Sequence, residues 1–128
     1  MIKAMQFPVM VFLLFLVGCE TLDTTTSIAK FSVEIVSDPS GADIEINNNY
    51  VGKTPITVNL EGWESTRTFT RSHTIVAHPI RAGGQTQVKI FLGWREPSKT
   101  YGDVIPDKIY FDMNLIRIPN QLDLNINK

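Results

Sequence analysis

The feature that most constrains the fold of this chain is a period-two alternation of apolar and polar residues that starts at Phe31. This alternation is typical of half-buried β-strands, whose successive side chains point to opposite faces. It recurs in three runs that short turn-forming segments separate: residues 31–36, 42–47 and 56–60. The pattern therefore predicts an antiparallel series of short strands.

The segments between these runs contain the residues that tight turns require. Residues 37–41 read Ser-Asp-Pro-Ser-Gly, and Gly41 can adopt a positive φ because it has no Cβ. Residues 47–49 are three asparagines, a residue type that tolerates the left-handed region. Pro55 has no backbone N–H to donate, so we expect it at the start or edge of the following strand.

The second half of the chain continues the β pattern less regularly. We predict a loop at residues 61–64, a second loop from Gly93 to Pro106, and three further strands at residues 67–80, 85–92 and 108–113. The tail at residues 119–128 is rich in Asn and begins with Pro119, so it is expected to be an edge strand or a frayed end. Because no segment of the predicted domain has a sustained 3.6-residue apolar period, the sequence predicts an all-β fold, a small antiparallel β-sandwich at residues 31–118.

The turns also carry a resemblance to a known family. Ser37, Pro39, Gly41 and Ala42, the asparagine turn, and then residues 52–55 (Gly-Lys-Thr-Pro) resemble the PEGA domain over about residues 31–60. This chain has Ser40 where the family name has Glu. The resemblance implies a small β-sandwich-like module of envelope proteins that serves in binding or structure and brings no catalytic residues.

The N-terminus has the layout of a secretory signal. Lys3 precedes an apolar run at residues 7–17, which is too short for a membrane-spanning helix of ~20 residues. The run ends in a tetrad that resembles the lipobox of bacterial lipoproteins: Leu16, Val17, Gly18 and Cys19. The resemblance implies that residues 1–18 are removed and that Cys19, the single cysteine, is acylated and binds membrane lipid.

Residues 19–30 are predicted to be the lipidated N-terminus and a flexible tether, because residues 20–30 are mostly small and polar. An ordered first strand is the alternative, which Ile28 supports. Glu20 follows the cysteine, and in lipoprotein sorting of the enterobacterial type Asp at that position favours the inner membrane. The expected location is therefore the outer membrane.

Composition excludes several classes of function. The formal net charge is −1 at pH 7 and Lys and Arg are not clustered, so no phosphate-binding surface for nucleic acid is expected. With one cysteine, neither a disulfide nor a cysteine-based zinc site is available. We expect no metal and no cofactor.

Few residues of the chain are candidates for catalysis. His73 and His78 lie five apart on one predicted strand, so they face opposite sides of the sheet and cannot share a metal. Ser72 adjoins His73, but strand neighbours point apart and the chain has no Gly-x-Ser-x-Gly motif. We expect no catalytic residue. A small envelope hydrolase acting on glycan or peptidoglycan, or an accessory domain of one, remains the alternative.

Three aromatic residues are candidates for binding. Trp63 and Trp94 each follow a glycine in a predicted loop, and Tyr101 is near Trp94 in sequence. Exposed rings on loops stack on sugars or anchor a partner protein. The competing expectation, which we favour, is that both tryptophans fold back to cap the open ends of the sandwich. The sequence thus predicts a non-enzymatic, membrane-anchored module whose partner is an envelope protein or a glycan such as peptidoglycan.

Overall fold

The computed structural model describes residues 26–115, so the predicted signal peptide, Cys19 and the predicted tail at residues 119–128 lie outside the described residues. Within residues 26–115 the chain forms eight strands and no helix. Their bounds are β1 Ile28–Asp38, β2 Asp43–Ile46, β3 Asn49–Lys53, β4 Ile56–Trp63, β5 Thr68–Phe69, β6 His73–His78, β7 Gln87–Phe91 and β8 Lys108–Asp112.

The strands form two four-stranded sheets, which confirms the predicted all-β sandwich. Sheet A has the order β5-β4-β1-β8, and sheet B has the order β3-β2-β6-β7. All pairings between these strands are antiparallel except that of β1 with β8, which is parallel. In the part of the chain described, no helix is long and apolar enough to cross a membrane.

The core lies between the inner faces of the two sheets. In β1 the alternation places Val33 and Ile35 at zero exposure, and Phe69 and Phe111 are the largest fully buried side chains. The remaining buried apolar residues are Ala42, Ile44, Leu60, Ile75, Ala77, Ile105, Ile109 and Met113. Both sheets contribute to this set, so one core holds β1–β4 together with β5–β8.

Strand β1 begins at Ile28, three residues earlier than the alternation predicts. Residues 28–30, which we assigned to the flexible tether, are part of the strand because they pair with residues 61–63 of β4. The alternative expectation of an ordered start at Ile28 is the one that holds. Only the part of the predicted tether before Thr26 lies outside the described residues.

The predicted loop at residues 61–64 is also wrong, because β4 continues through Trp63. Gly62 is buried at a point where a Cβ would lie 2.3 Å from Ile105 Cδ1 and 2.8 Å from the Thr68 carbonyl oxygen. The glycine thus permits close packing inside a strand rather than a turn.

The predicted long strand at residues 67–80 is interrupted after Phe69, and β6 begins at His73. Arg67 directly precedes β5 and has a positive φ of 55°. Its Nε donates to the Ile105 carbonyl at 3.0 Å. Its guanidinium also pairs with Asp107 and lies 5.1 Å from the Phe31 ring centroid. Arg67 therefore ties sheet A to the segment before β8 and is not a freely solvated residue.

Strand β7 is an edge strand of sheet B with an exposed apolar face. Val88, Ile90 and Leu92, which alternate with Lys89 and Phe91, are 53%, 62% and 55% exposed, whereas Phe91 packs on the core. The apolar face of this strand is thus its solvent face.

The predicted turns are confirmed. Gly41 has a φ of 100°, Asn47 and Asn48 have φ values of 51° and 67°, and β4 starts directly after Pro55. Thr54, which is 4% exposed, links the turns at this end of the sandwich. Its Oγ1 accepts hydrogen bonds from the backbone N–H groups of Gly41 and Ala42, both at 3.0 Å.

The hydroxyl protons of this network have one consistent assignment. Ser37 Oγ donates to the Pro39 carbonyl at 2.8 Å, so the hydrogen bond between the two hydroxyls has Thr54 as donor and Ser37 as acceptor. The hydroxyl groups of Ser37 and Thr54 therefore both have hydrogen-bond partners.

Replacing Thr54 by valine is expected to lower the free energy of unfolding by about 2 kcal/mol, because the buried Ala42 N–H loses its acceptor. Thr54→Ser keeps the hydroxyl and serves as the matched control. Urea unfolding followed by tryptophan fluorescence measures both variants. If valine costs no more than serine, the hydroxyl does not stabilise the junction.

Candidate functional site

The structure brings the three aromatic candidates together at one end of the sandwich. Trp63 is the last residue of β4, and Trp94 and Tyr101 belong to the loop that follows β7. Trp63 Nε1 donates to the Trp94 carbonyl at 2.8 Å, and the rings of Trp94 and Tyr101 have centroids 5.2 Å apart at an angle of 32°. We call these three residues the aromatic cluster.

The expectation that the tryptophans cap the open ends of the sandwich is wrong. Neither one belongs to the buried core or to the apolar residues packed against it. Since Leu60 and Gly62 face inward, alternation places Trp63 on the outer face of sheet A. Trp94 and Tyr101 are 40% and 63% exposed. The cluster thus offers ring surface to solvent.

Hydrogen bonds within the loop hold Tyr101 against Trp94. Ser98 Oγ accepts from the backbone N–H groups of Thr100 and Tyr101, and the Ser98 carbonyl accepts from Gly102 at 3.2 Å. At the base of the loop, Asp103 N–H donates to the Leu92 carbonyl at 2.8 Å. Leu92 N–H donates in turn to Asp103 Oδ2 at 2.6 Å. These bonds preorganise the exposed rings.

Gly93 sets the path of the backbone into Trp94. A Cβ at this position would lie 2.0–2.4 Å from the backbone C, Cα and N atoms of Arg71, and Gly93 N–H donates to Ser72 Oγ at 3.1 Å. Trp94 N–H then donates to the Phe69 carbonyl at 3.0 Å. Only glycine fits at position 93, where the backbone passes this close to the backbone of Arg71.

The polypeptide enters the domain beside the aromatic cluster. Glu64 N–H donates to the Ser27 carbonyl at 3.0 Å, and the Ser27 hydroxyl donates to the Glu64 carboxylate. Ile28, which follows, is 57% exposed and lies directly opposite Trp63 in the register of β1 and β4. Ile28 could not be assigned to the site from the sequence, because its position there depends on the long-range pairing of β1 with β4.

The side chains considered for catalysis are engaged elsewhere. His73, 5% exposed, donates from Nδ1 to the Arg71 carbonyl at 2.8 Å, and Ser72 Oγ holds Gly93 N–H. His78 alternates to the opposite face of β6, as predicted, where its Nε2 lies 3.3 Å from Glu45 Oε2 without hydrogen-bond geometry. Ser72, His73 and His78 therefore do not form a triad with a carboxylate.

An ion pair on sheet B and a cavity lie away from the cluster. On sheet B, a hydrogen bond from Lys53 Nζ at 2.8 Å lowers the pKa of Asp43, and Tyr50 donates to the same carboxylate. A cavity of about 300 Å³ lies at the opposite end of the sandwich, between residues 81–84 and 113–115. Within the described residues, no group of three or more His, Cys, Asp or Glu side chains is placed to hold a metal ion.

Comparison with protein families gives one match, to the PEGA domain, at residues 31–65. The match spans β1 to β4 and about a quarter of the chain, and it extends five residues past the segment on which the sequence resemblance rests. Strands β5–β8 lie outside the match, although they complete both sheets. Neither the comparison with curated proteins nor that with solved structures gives a match.

Proposed function

We propose that this chain is a non-enzymatic lipoprotein of the cell envelope, held on the membrane by acylated Cys19, whose PEGA-like β-domain binds or scaffolds another component. The match to the PEGA domain supports an extracellular or envelope β-domain in general terms. The observation that carries the more specific proposal is the fixed entry of the chain at Ser27, eight residues after Cys19.

The short connection between Cys19 and Ser27 limits the distance between the domain and the membrane. Eight residue steps span at most about 26–29 Å when fully extended, and a flexible coil of that length averages about 16 Å between its ends. The domain would therefore remain within one domain diameter of the bilayer. Such a position suits a module that acts on components close to the membrane.

Acyl chains provide the binding energy in this proposal. Each buried methylene contributes about 0.8 kcal/mol, and one chain binds reversibly whereas two or more give stable anchoring. Glu20 next to Cys19 supports the outer membrane as the destination. Separation of inner and outer membranes by density measures this location directly.

The partner in this proposal is an envelope protein or a glycan such as peptidoglycan. The hydrogen bonds of Ser72 and His73 to backbone groups support a binding role over the hydrolase alternative, since both side chains already maintain the fold. Co-sedimentation with purified peptidoglycan sacculi distinguishes a glycan partner from a protein partner, because only a glycan-binding domain enters the pellet.

Replacing Cys19 by serine is expected to abolish acylation, because the thioether to the lipid requires the sulfur. Mass spectrometry of the membrane-extracted protein should show acyl mass on a peptide that starts at Cys19, and the serine variant should lack it. Wild-type protein that keeps residues 1–18, or that is cut elsewhere, would contradict the proposal.

A further inference from the structure

Beyond the anchor itself, the geometry points to a second membrane contact: we propose that the aromatic cluster, with Ile28, rests in the headgroup region of the bilayer that holds Cys19. This inference rests on the proposed function. The occupant of the exposed ring surface is thus a lipid interface rather than a sugar or a protein.

The position follows from the direction of β1. The chain enters at Ser27 beside Trp63, and β1 runs from there to Asp38 at the far end, about 33 Å away at a rise of ~3.3 Å per residue. Because eight residue steps reach at most about 29 Å, which is less than the length of β1, the end that carries the aromatic cluster is the end that meets the bilayer. The described chain leaves at the other end, where Met113 N–H donates to the Asp38 carbonyl.

The chemistry of the exposed side chains suits a lipid interface. Tryptophan and tyrosine combine an apolar ring with a polar group and concentrate at the level of the headgroups. Trp94, Tyr101 and Ile28 are 40%, 63% and 57% exposed, and they extend from the same end of the domain as the entering chain. The hydrogen bonds of Ser98 and Asp103 hold the rings in place, so little conformational entropy is lost on contact.

The charges around the cluster favour burial of rings over attraction to anionic lipid. Beside Trp63 and Ile28, the acidic residues Glu61 and Glu64 are balanced by the basic residues Lys30, opposite Glu61, and Arg71, which lies 3.6 Å from the Glu61 carboxylate. The loop from Trp94 to Asp103 carries two basic residues, Arg95 and Lys99, and two acidic ones, Glu96 and Asp103. The net charge of the loop is therefore zero, and salt should not release the cluster from the membrane. Contact should be similar on neutral and anionic vesicles.

The test uses the full-length lipidated protein in phosphatidylcholine vesicles whose acyl chains are brominated, since bromine quenches tryptophan within the bilayer. Trp63→Phe leaves Trp94 as the single tryptophan, which should lose roughly half of its emission relative to unbrominated vesicles. The control combines Trp63→Phe and Trp94→Phe with Tyr110→Trp. Tyr110 is 50% exposed on β8, toward the far end of β1. The tryptophan introduced at position 110 should therefore keep its emission in the brominated vesicles.

Quenching at position 94 without quenching at position 110 supports the seating. Equal quenching at both positions, or at neither, overturns it, and so does a shift of Trp94 emission on adding soluble peptidoglycan fragments but not vesicles. Intact mass of the same sample reports acylation separately. If the natural protein carries no acyl group, Cys19, the only thiol of the chain, is coupled to a maleimide phospholipid and the quenching measurement is repeated. The result then tests the membrane contact of the aromatic cluster independently of the proposed function.

Discussion

Replacement of Gly93 by alanine is expected to destabilise the domain by about 3 kcal/mol or more. The new Cβ would lie 2.0 Å from the backbone carbonyl carbon of Arg71, and main-chain atoms cannot move aside as the end of a flexible side chain can. Overpacking of this kind typically costs 1–3 kcal/mol, and a clash with backbone belongs at or above the upper limit. Thermal unfolding of the two proteins measures the difference.

Gly83→Ala provides the matched control. Gly83 has a positive φ of 83° but no atom within 4 Å of the position of a Cβ, so alanine there adds conformational strain without a clash. We expect a cost near 1 kcal/mol at Gly83. Equal destabilisation at both glycines would contradict the close crossing of residues 71 and 93. In the Trp63→Phe background, the Gly93 variant should also shift Trp94 emission, because the backbone leading to that ring must move.

Replacement of Phe69 by alanine is expected to lower the free energy of unfolding by about 3–5 kcal/mol, the usual range for a buried phenylalanine. Phe69 has no exposed surface, and its ring centroid lies 5.2 Å from those of both His73 and Phe91. The residue therefore joins the short strand β5 to two strands of sheet B. For a domain of this size such a loss approaches the whole stability. Urea unfolding gives the value.

Because Phe69→Ala risks complete unfolding, the milder pair Phe69→Leu and Phe111→Leu separates local from general effects. Both phenylalanines are fully buried, but only the Phe69 carbonyl accepts a hydrogen bond from Trp94 N–H. In the Trp63→Phe background, where Trp94 is the single tryptophan, Phe69→Leu should shift Trp94 emission in the folded protein, whereas Phe111→Leu should leave it unchanged. A shift in both variants, or in neither, would count against Phe69 as the support of the loop.

The parts of the fold that depend on local pattern could be predicted from the sequence. The alternation in β1 and the turn chemistry at Gly41, Asn47 and Asn48 each follow from neighbouring residues, and the structure confirms them. The parallel pairing of β1 with β8 depends on contacts between residues more than 70 positions apart. No local pattern indicates that pairing.

Two glycines show why the site was harder to predict than the fold. Both Gly62 and Gly93 allow a close approach of distant chain segments. Gly93 lies in a loop, as predicted, but the prediction of Gly62 as a loop residue is wrong, because Gly62 lies inside β4. That error placed Trp63 in a loop instead of on the face of a sheet. The choice of Trp63, Trp94 and Tyr101 as candidates needed only residue type, whereas their proximity needed the strand pairing.

The central place of β1 in sheet A has a consequence for export. The first strand of the domain pairs with β4 and with the last described strand, β8, so sheet A cannot close until residue 112 is available. If the chain is exported from its N-terminus, as the proposed envelope lipoprotein would be, the sandwich would stay open during most of its passage. Pairing between such distant segments is also slow, because loop closure must precede it. The topology would thereby leave time for the acylation of Cys19 that we propose to take place on a chain that has not yet folded.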